Sequence, residues 1–527
     1  MTIQFRALLR TLPRTLPLLL AATLDCPPAI AAETASCKYV KIAELPLRFH
    51  GRSLEPMVDG SINGARARML VDTGAQHSFL TNTALDKFNL NARPTSVHME
   101  GIGGSSRMYS AQVSEFSVGP TRSRGVTMGV IGDMGVTPDY DALVGTDFLF
   151  QADVEIALTE HALRFFRPLE CGADSFLAYW TDDAVVVPLT GSFGRSKNNT
   201  FTVKLNGVEL DAIIDTGAER TVVFEHAARK SGVRENHAST RAQGRAGGIG
   251  SELIGARSAV FSTFAVGGET IRDAELLVVP DSSALRGADI LLGADFLRSH
   301  RVLFAMSQRQ LYISYLGGDV FSRDAIAIPA WLRQEADGGN PDAMFALAAR
   351  LIALDNAPGS ATGSDAQRGQ QALALLERAA ALHHRPALLA LAALEGRLGR
   401  FNESVALYAR AAALQQDDRR TWLMLYLARL NAGTAGAADI ELTQRLAQDN
   451  TRAWPAPVGD YYLGRIDAAA LLKSAAADSA LAAWRSCDAK DFMAQLAQVK
   501  GDSVLLKTLT EQRSAECKAD AHGAPGR

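Results

Sequence analysis

The sequence predicts a multidomain protein: an all-β, two-lobed domain built from a duplicated unit, followed by an all-α domain of stacked helical repeats, an α-solenoid. Three observations carry this expectation. A set of short landmarks recurs in the same order at offsets of 143 to 148 residues. Strand-like runs separated by Gly-rich turns fill residues 38 to about 318. From about Pro329 the pattern changes to Ala- and Leu-rich helical periodicity with almost no strand-like alternation.

The duplication centres on a four-residue motif. Asp72-Thr73-Gly74-Ala75 and Asp215-Thr216-Gly217-Ala218 lie 143 residues apart, each directly after an apolar run. Asn63-Gly64 and Asn206-Gly207 precede them at the same offset. Gly101-Ile102-Gly103 matches Gly248-Ile249-Gly250 at 147, and Leu143 to Leu149 matches Leu291 to Leu297 at 148, so small loop insertions account for the drift. Internal similarity of this length records a duplicated supersecondary unit. The halves are expected at residues 38–175 and 176–320, with Phe176 to Pro188 joining them and a turn at Asp182-Asp183 before a strand at Ala184 to Val187.

Within the halves, Ala67 to Val71, Ser114 to Val118, Phe201 to Leu205 and Glu275 to Val279 read as strands, being short apolar or β-branched runs between turn residues. Each half ends in a short helix, Asp147 to Phe150 and Asp295 to Ser299. Asp147 and Asp295 recur symmetrically and are expected to bond backbone groups at those helix starts rather than to carry chemistry.

A lone Asp-Thr-Gly is more simply a turn or a helix N-cap. Two copies within matched repeats point instead to paired carboxyl groups that share one proton across a water, one acting as base toward it and the other as acid toward a carbonyl. The residues resemble the retropepsin-like aspartic proteases, in which an apolar strand leads into Asp-Thr-Gly-Ala and an Ile/Val/Leu-Gly segment follows. Asn206 through Ala218 is similar to a retroviral protease active-site strand, and Gly101-Ile102-Gly103-Gly104 is similar to that family's flap tip. Viral members build the site from two identical chains, whereas this sequence looks like a tandem form that supplies both halves over roughly residues 41 to 318.

The resemblance implies an acid-protease-like bilobal fold and peptide-bond hydrolysis at Asp72 and Asp215 without a covalent intermediate. Thr73 and Thr216 would bond across the two loops, and Gly74, Ala75, Gly217 and Ala218 would complete them. Gly101, Ile102 and Gly103, with Gly248, Ile249 and Gly250, become candidate flaps over an extended peptide or protein substrate. Viral enzymes often carry Gly-Arg after the late apolar pair; here Gly145-Thr146-Asp147 and Gly293-Ala294-Asp295 stand there, so the viral Arg ion pair is not carried over. Tyr109 is expected as an exposed strand residue. His77 faces Arg220 at the matching position, so no Ser-His-Asp arrangement recurs. Ala75 and Ala218 lack the hydroxyl that pepsin-like enzymes place after the glycine, which predicts a less acidic optimum.

In the helical domain, expected over 325–518, amphipathic segments fall at Asp342 to Asp355, Gln367 to Leu382, Pro386 to Leu398, Asn402 to Gln415, Arg419 to Ala432 and Ala468 to Trp484. Leu398-Gly399-Arg400-Phe401 with Ala406 to Ala411, and Trp454 to Pro457 with Tyr461 to Gly464, resemble tetratricopeptide repeats. Stacked helix pairs leave a concave face, expected here to bind a protein partner or substrate. Residues 356–365 read as a loop and 519–527 as a disordered tail.

With 54 basic against 57 acidic residues and a net charge of −3, no nucleic-acid partner is expected. No apolar run beyond the first 25 residues reaches membrane-span length. Arg6, Arg10 and Arg14, the apolar Leu16 to Leu24 and then Ala29-Ile30-Ala31-Ala32 predict a cleaved signal peptide over 1–32 and a periplasmic or secreted protein. Asp25 argues against lipidation of Cys26. Cleavage leaves Cys37, Cys171, Cys487 and Cys517, for which three connectivities exist. Their positions favour Cys37–Cys171 and Cys487–Cys517, with four buried thiols as the alternative. No Cys-x-x-Cys or His pairing accompanies them, so neither a metal nor a cofactor is expected. Two other readings stay open: a repeat scaffold whose β domain binds peptides without cutting them, and a dimer whose halves complete their sites with a second chain.

Overall fold

The computed structural model describes residues 37–517 apart from 51–53, 102–103, 120, 133–139, 191–198, 236, 247–253, 282–287, 322–327, 329, 356–364, 417, 451 and 478–481. The expected signal peptide, the tail, Ile102-Gly103 and Gly248-Ile249-Gly250 lie outside the described residues. The first lobe comprises β1 (Lys38–Pro46), β2 (Arg48–His50), β3 (Glu55–Ile62), β4 (Ala65–Val71), β5 (Phe79–Thr81), α1 (Asn82–Lys87), β6 (Ala92–Gly101), β7 (Gly104–Val118), β8 (Thr121–Ile131), β9 (Ala142–Val144), α2 (Thr146–Leu149), β10 (Asp153–Ala157) and β11 (Ala162–Leu169). The second comprises β12 (Val185–Pro188), β13 (Phe201–Leu205), β14 (Val208–Ile214), β15 (Val222–Phe224), α3 (Glu225–Lys230), β16 (Arg241–Ala246), β17 (Ile254–Val266), β18 (Glu269–Val279), β19 (Ile290–Leu292), α4 (Ala294–Leu297), β20 (His300–Ala305) and β21 (Gln310–Tyr315).

The two Asn-Gly repeats are hairpin turns. Asn63 and Gly64, at φ 51° and 80°, join β3 to β4, and Asn206 and Gly207, at φ 50° and 79°, join β13 to β14. Positive φ at both central residues matches the twist of the flanking strands, and asparagine followed by glycine tolerates it best. The strand leaving each turn then runs parallel to a short apolar strand: β4 beside β9, ending Val71 opposite Val144, and β14 beside β19, ending Ile214 opposite Leu292. Strands covered on both faces read as unbroken apolar runs. Both lobes share one order, β3-β4-β9-β5-β8-β7-β6 and β13-β14-β19-β15-β18-β17-β16, with β2 added at the edge of the first.

A third sheet, β1-β11-β10-β20-β21-β12, takes three strands from each lobe. At its centre β10 and β20 pair antiparallel, with Glu155 opposite Leu303. Glu155 is fully buried and accepts from Arg164 of the first lobe at 2.6 Å, from Arg301 of the second at 2.9 Å and from Tyr179 at 2.6 Å. Removing one member of a buried ion network strands the rest in low dielectric, so Glu155→Ala should cost about 3–5 kcal/mol, measured by urea unfolding. Wild-type stability of that variant would show the network to be dispensable. Cys37 and Cys171 form a disulfide where β1 meets β11.

The helical domain comprises α5 (Ala330–Asp337), α6 (Pro341–Asp355), α7 (Asp365–Ala381), α8 (Arg385–Arg397), α9 (Phe401–Leu414), α10 (Arg419–Asn431), α11 (Ala435–Gln448), α12 (Ala456–Tyr462), α13 (Ala468–Ala475), α14 (Ala482–Lys500) and α15 (Ser503–Glu516). The single helix expected over 468–484 is two: Asp467 caps α13, and α14 starts afresh at Ala482. Ala475-Ala476-Ala477 carries no side chain from which a change of helical phase can be read. Pairs α8/α9 and α10/α11 repeat at 34 residues, from Arg385 to Arg419, and each turns on a glycine at positive φ, Gly399 and Gly433. A second disulfide, Cys487–Cys517, ties α14 to the end of α15.

The helices are docked on the β domain. One apolar core runs from Leu45 through both lobes to Ala411 of α9. Phe49 of β2 packs on Trp331 of α5 at 5.4 Å between ring centres. His161 pairs with Glu335 of α5, Arg48 with Asp342 of α6 at 3.9 Å, and Asp86 of α1 with Arg485 of α14. Burial lifts the Asp86 carboxyl to about 6 against the opposing pull of Arg485.

Candidate active site

Strands β4 and β14 end side by side and deliver Asp72 and Asp215 to one place. The adjoining loops interlock through their threonines. Thr73 N–H donates to the Thr216 hydroxyl at 3.0 Å and Thr216 N–H to the Thr73 hydroxyl at 3.1 Å. Each hydroxyl then donates across the pseudo-twofold, Thr73 to the carbonyl of Ile214 at 2.7 Å and Thr216 to that of Val71 at 2.6 Å. These groups are buried, so the loops are fixed by satisfied polar contacts rather than by solvent.

The two carboxyl groups lie within hydrogen-bonding reach of each other. Asp72 Oδ1 accepts the amides of Gly74 and Ala75, both at 2.9 Å, and Asp215 Oδ1 accepts Gly217 at 2.9 Å. The amides of Ala218 and, from the other lobe, Gly74 also favour the Asp215 anion. Burial, then the charge of Asp215, pushes the Asp72 carboxyl well above the usual carboxylate range; burial raises Asp215 too, opposed by the hydrogen bond from Asp72. The pair titrates as a unit and holds its shared proton to higher pH than an isolated aspartate would. Glycine is required beside each acid: a Cβ on Gly74 would stand 2.4 Å from Asp215 Cγ, and one on Gly217 2.9 Å from Asp72 Cγ.

The late repeat supports these loops. Asp295 accepts the Thr221 amide at 2.8 Å and its hydroxyl at 2.7 Å, and Asp147 accepts the Ser78 amide at 3.1 Å and hydroxyl at 2.8 Å. The expected bonding of these aspartates at their own helix starts is therefore largely wrong. Only Asp295 does so, to Phe296 N–H, while Gly145 and Gly293 occupy the cap positions. The side chains turn back to the segment after each Asp-Thr-Gly-Ala because β5 and β15 run antiparallel beside β9 and β19.

Of the candidate flaps, Gly101 and Gly104 pair at the end of the β6–β7 hairpin, and the tip between them is outside the described residues. Tyr109 on β7 is half-buried against the core, not exposed as expected. Between this hairpin and the loop after Asp72 lies a groove of about 660 Å³, lined by His77, Phe79, Met99, Met108, Met128 and Phe148 among others. Thioether side chains make such a surface adaptable.

Two contributors escaped the sequence reading. Asn199, almost fully buried, donates to the carbonyls of Thr73 and Ile214, both at 3.0 Å, and so braces one lobe against the other. The repeat offset puts Pro56 at its place in the first lobe, so duplication gave no signal for it. Tyr140 packs with Ala75 and Phe79, close enough to Asp72 for that charge, after burial and Glu55, to raise its phenol.

Two segments of the chain match one family. Residues 58–148 and 201–296 each match the family model described as Aspartyl protease. The β domain thus holds, in a single chain, two segments similar to that family. Among solved structures, the aspartic proteinase from Irpex lacteus aligns over 53% of this chain and 98% of its own at 14% identity, with a TM-score of 0.35. No curated protein matches the chain.

Proposed function

We propose that the protein is an aspartic endopeptidase in which Asp72 and Asp215 activate a water between them. The observation that carries this reading is the pair of half-buried carboxyl groups brought together on interlocked, symmetry-related loops. Asp215, held by more amides, starts as the anion and takes a proton from the water as its oxygen bonds to the peptide carbonyl carbon. Asp72 gives its proton to the carbonyl oxygen, so little charge builds up in the tetrahedral intermediate. Collapse breaks the C–N bond: Asp215 returns its proton to the nitrogen, Asp72 recovers one from the hydroxyl, and no covalent enzyme intermediate forms. An extended substrate would lie under the β6–β7 hairpin with side chains in the methionine-lined groove.

A diverse peptide library incubated with and without pepstatin tests the activity. Pepstatin-sensitive cleavage is expected; none across about pH 3 to 8, a window around ordinary carboxylate and His values, would leave a peptide-binding scaffold. The pH profile follows from the shifts above. Cleavage needs one proton on the pair, so it falls in acid as Asp215 gains a second and in alkali as Asp72 loses the first. Both are raised, so the optimum should lie above about pH 4, the ordinary Asp value, and a peak below about pH 3 contradicts this.

The helical domain is read as tetratricopeptide-like from its 34-residue period, with partner or substrate binding as its role. Export to an oxidising compartment is proposed from the N-terminal sequence together with the two disulfides. No helix among the described residues is long and apolar enough to cross a membrane.

A further inference from the structure

We infer that the helical domain is a working part of the active site, with Arg350 of α6 acting through Glu219 as a positioning residue for the Asp215 loop. The inference rests on the protease reading for its consequence but on separate geometry for its substance. Glu219 is the fourth residue after Asp215 and follows directly on the Asp-Thr-Gly-Ala loop. Arg350 Nη2 donates to its Oε1 at 2.8 Å, across 131 residues of sequence and from the other domain. The arginine side chain is 4% exposed and the glutamate side chain 35%, so the pair is shielded from water on the arginine side and open to it on the carboxylate side.

The lobes differ here, while several of the surrounding contacts are matched. Thr73 and Thr216, Ser78 and Thr221, Gly145 and Gly293, and Asp147 and Asp295 make equivalent contacts in both. Where the second lobe has Glu219, the first has the exposed Gln76, and where the second has Arg298, the first has Phe150. Arg298 is the other charged neighbour. It lies in the field of Glu219, Arg350 and Asp295, packs over Trp331 of α5 at 5.9 Å, and burial lowers its guanidinium to about 10 against the pull of Glu219. Glu219 therefore stands where a docked helix meets the edge of the site, between two guanidinium groups. On one side its backbone leads to Asp215. On the other, Ala218 O accepts Ala294 N–H at 2.8 Å and Thr221 is held by Asp295, so the Glu219 side chain is a point at which α6 can pull on a loop that these bonds tie to the β domain. This makes the helical domain a clamp on one of the two acids, where the sequence suggested a binding arm.

The test uses the full chain with Glu219→Gln, Arg350→Ala, Arg350→Lys and the Glu219→Gln/Arg350→Ala combination. Two readouts are taken: kcat and KM on a peptide cleaved by the wild type, and amide hydrogen exchange of residues 215–221. Both single variants that break the pair should lower kcat about 10- to 100-fold, the size of effect a misplaced catalytic group produces, with KM within about twofold. Exchange at Gly217 and Thr221 should quicken. Arg350→Lys should restore part of both, and the combined variant should lose no more than the worse single one. Glu219→Gln keeps the test alive if Arg350→Ala perturbs α6. Wild-type kcat and exchange in Glu219→Gln, losses that multiply in the combination, or a rise in KM alone would each overturn the inference. If the wild type cleaves nothing, the protease reading fails, and the exchange data still decide whether Arg350 holds the loop.

Discussion

Replacing Asp72 or Asp215 by asparagine is expected to reduce peptide cleavage about 10³- to 10⁴-fold, the upper range for losing a positioned acid–base group. Either substitution removes the shared proton, because an amide neither takes one from water nor supplies one to a carbonyl. The fold should survive, since asparagine accepts the same backbone amides from Gly74, Ala75 and Gly217. Stability should move opposite to activity. The folded-state pKa of Asp72 is raised, so its burial costs nothing below the unfolded value of about 3.9 and costs most above the folded one. Asp72→Asn should therefore melt no lower than the wild type at neutral pH. Full cleavage by either asparagine variant would end the two-acid mechanism, and a large fall in melting temperature would show that the carboxylate serves the fold instead.

Ending the chain at Ile328 is expected to destabilise the β domain by about 5 kcal/mol, roughly 10 °C or more in melting temperature, with aggregation. The face of the first lobe carrying Phe49 and His161 is covered by Trp331 and Glu335 of α5, and the apolar core does not stop at the domain boundary. Each large apolar side chain returned to water costs about 1.5–3 kcal/mol, so two or three approach the whole stability of an ordinary domain. Trp331→Ala in the full chain is the milder form and should lie in the same direction. A truncated domain that melts within a few degrees of the intact protein would make the helices an independent appendage.

What the sequence reveals and conceals divides along range. Asn-Gly at equal offsets, apolar strands running into Asp-Thr-Gly-Ala, and 3.6-residue periodicity are local patterns, and from them the bilobal β domain and the helical region after Pro329 can be read before any coordinates. The spacing nominates Asp72 and Asp215, and the structure sets them in contact. The contacts that frame the pair are not local. Glu155 with Arg301, Arg350 with Glu219, and Asp86 with Arg485 join residues 146, 131 and 399 positions apart, and no periodicity encodes them. Asp147 and Asp295 were visible as a repeat but not in their partners, because the register of β9 against β5 decides which way they turn. The periodicity does not mark α5, α11, α12 or α15, and it merges α13 with α14 across the alanine run at 475–477.

The sheet to which each lobe lends three strands has a consequence for how the protein can vary and dilute. When two identical subunits meet to build a cleft, every mutation is written on both sides at once, and below the dissociation constant the cleft ceases to exist. Here β10 meets β20 within one molecule, at an effective concentration no dilution can lower. The left and right walls are consequently free to drift apart, which is how a glutamine can persist at position 76 while a glutamate at 219 acquires a partner from α6.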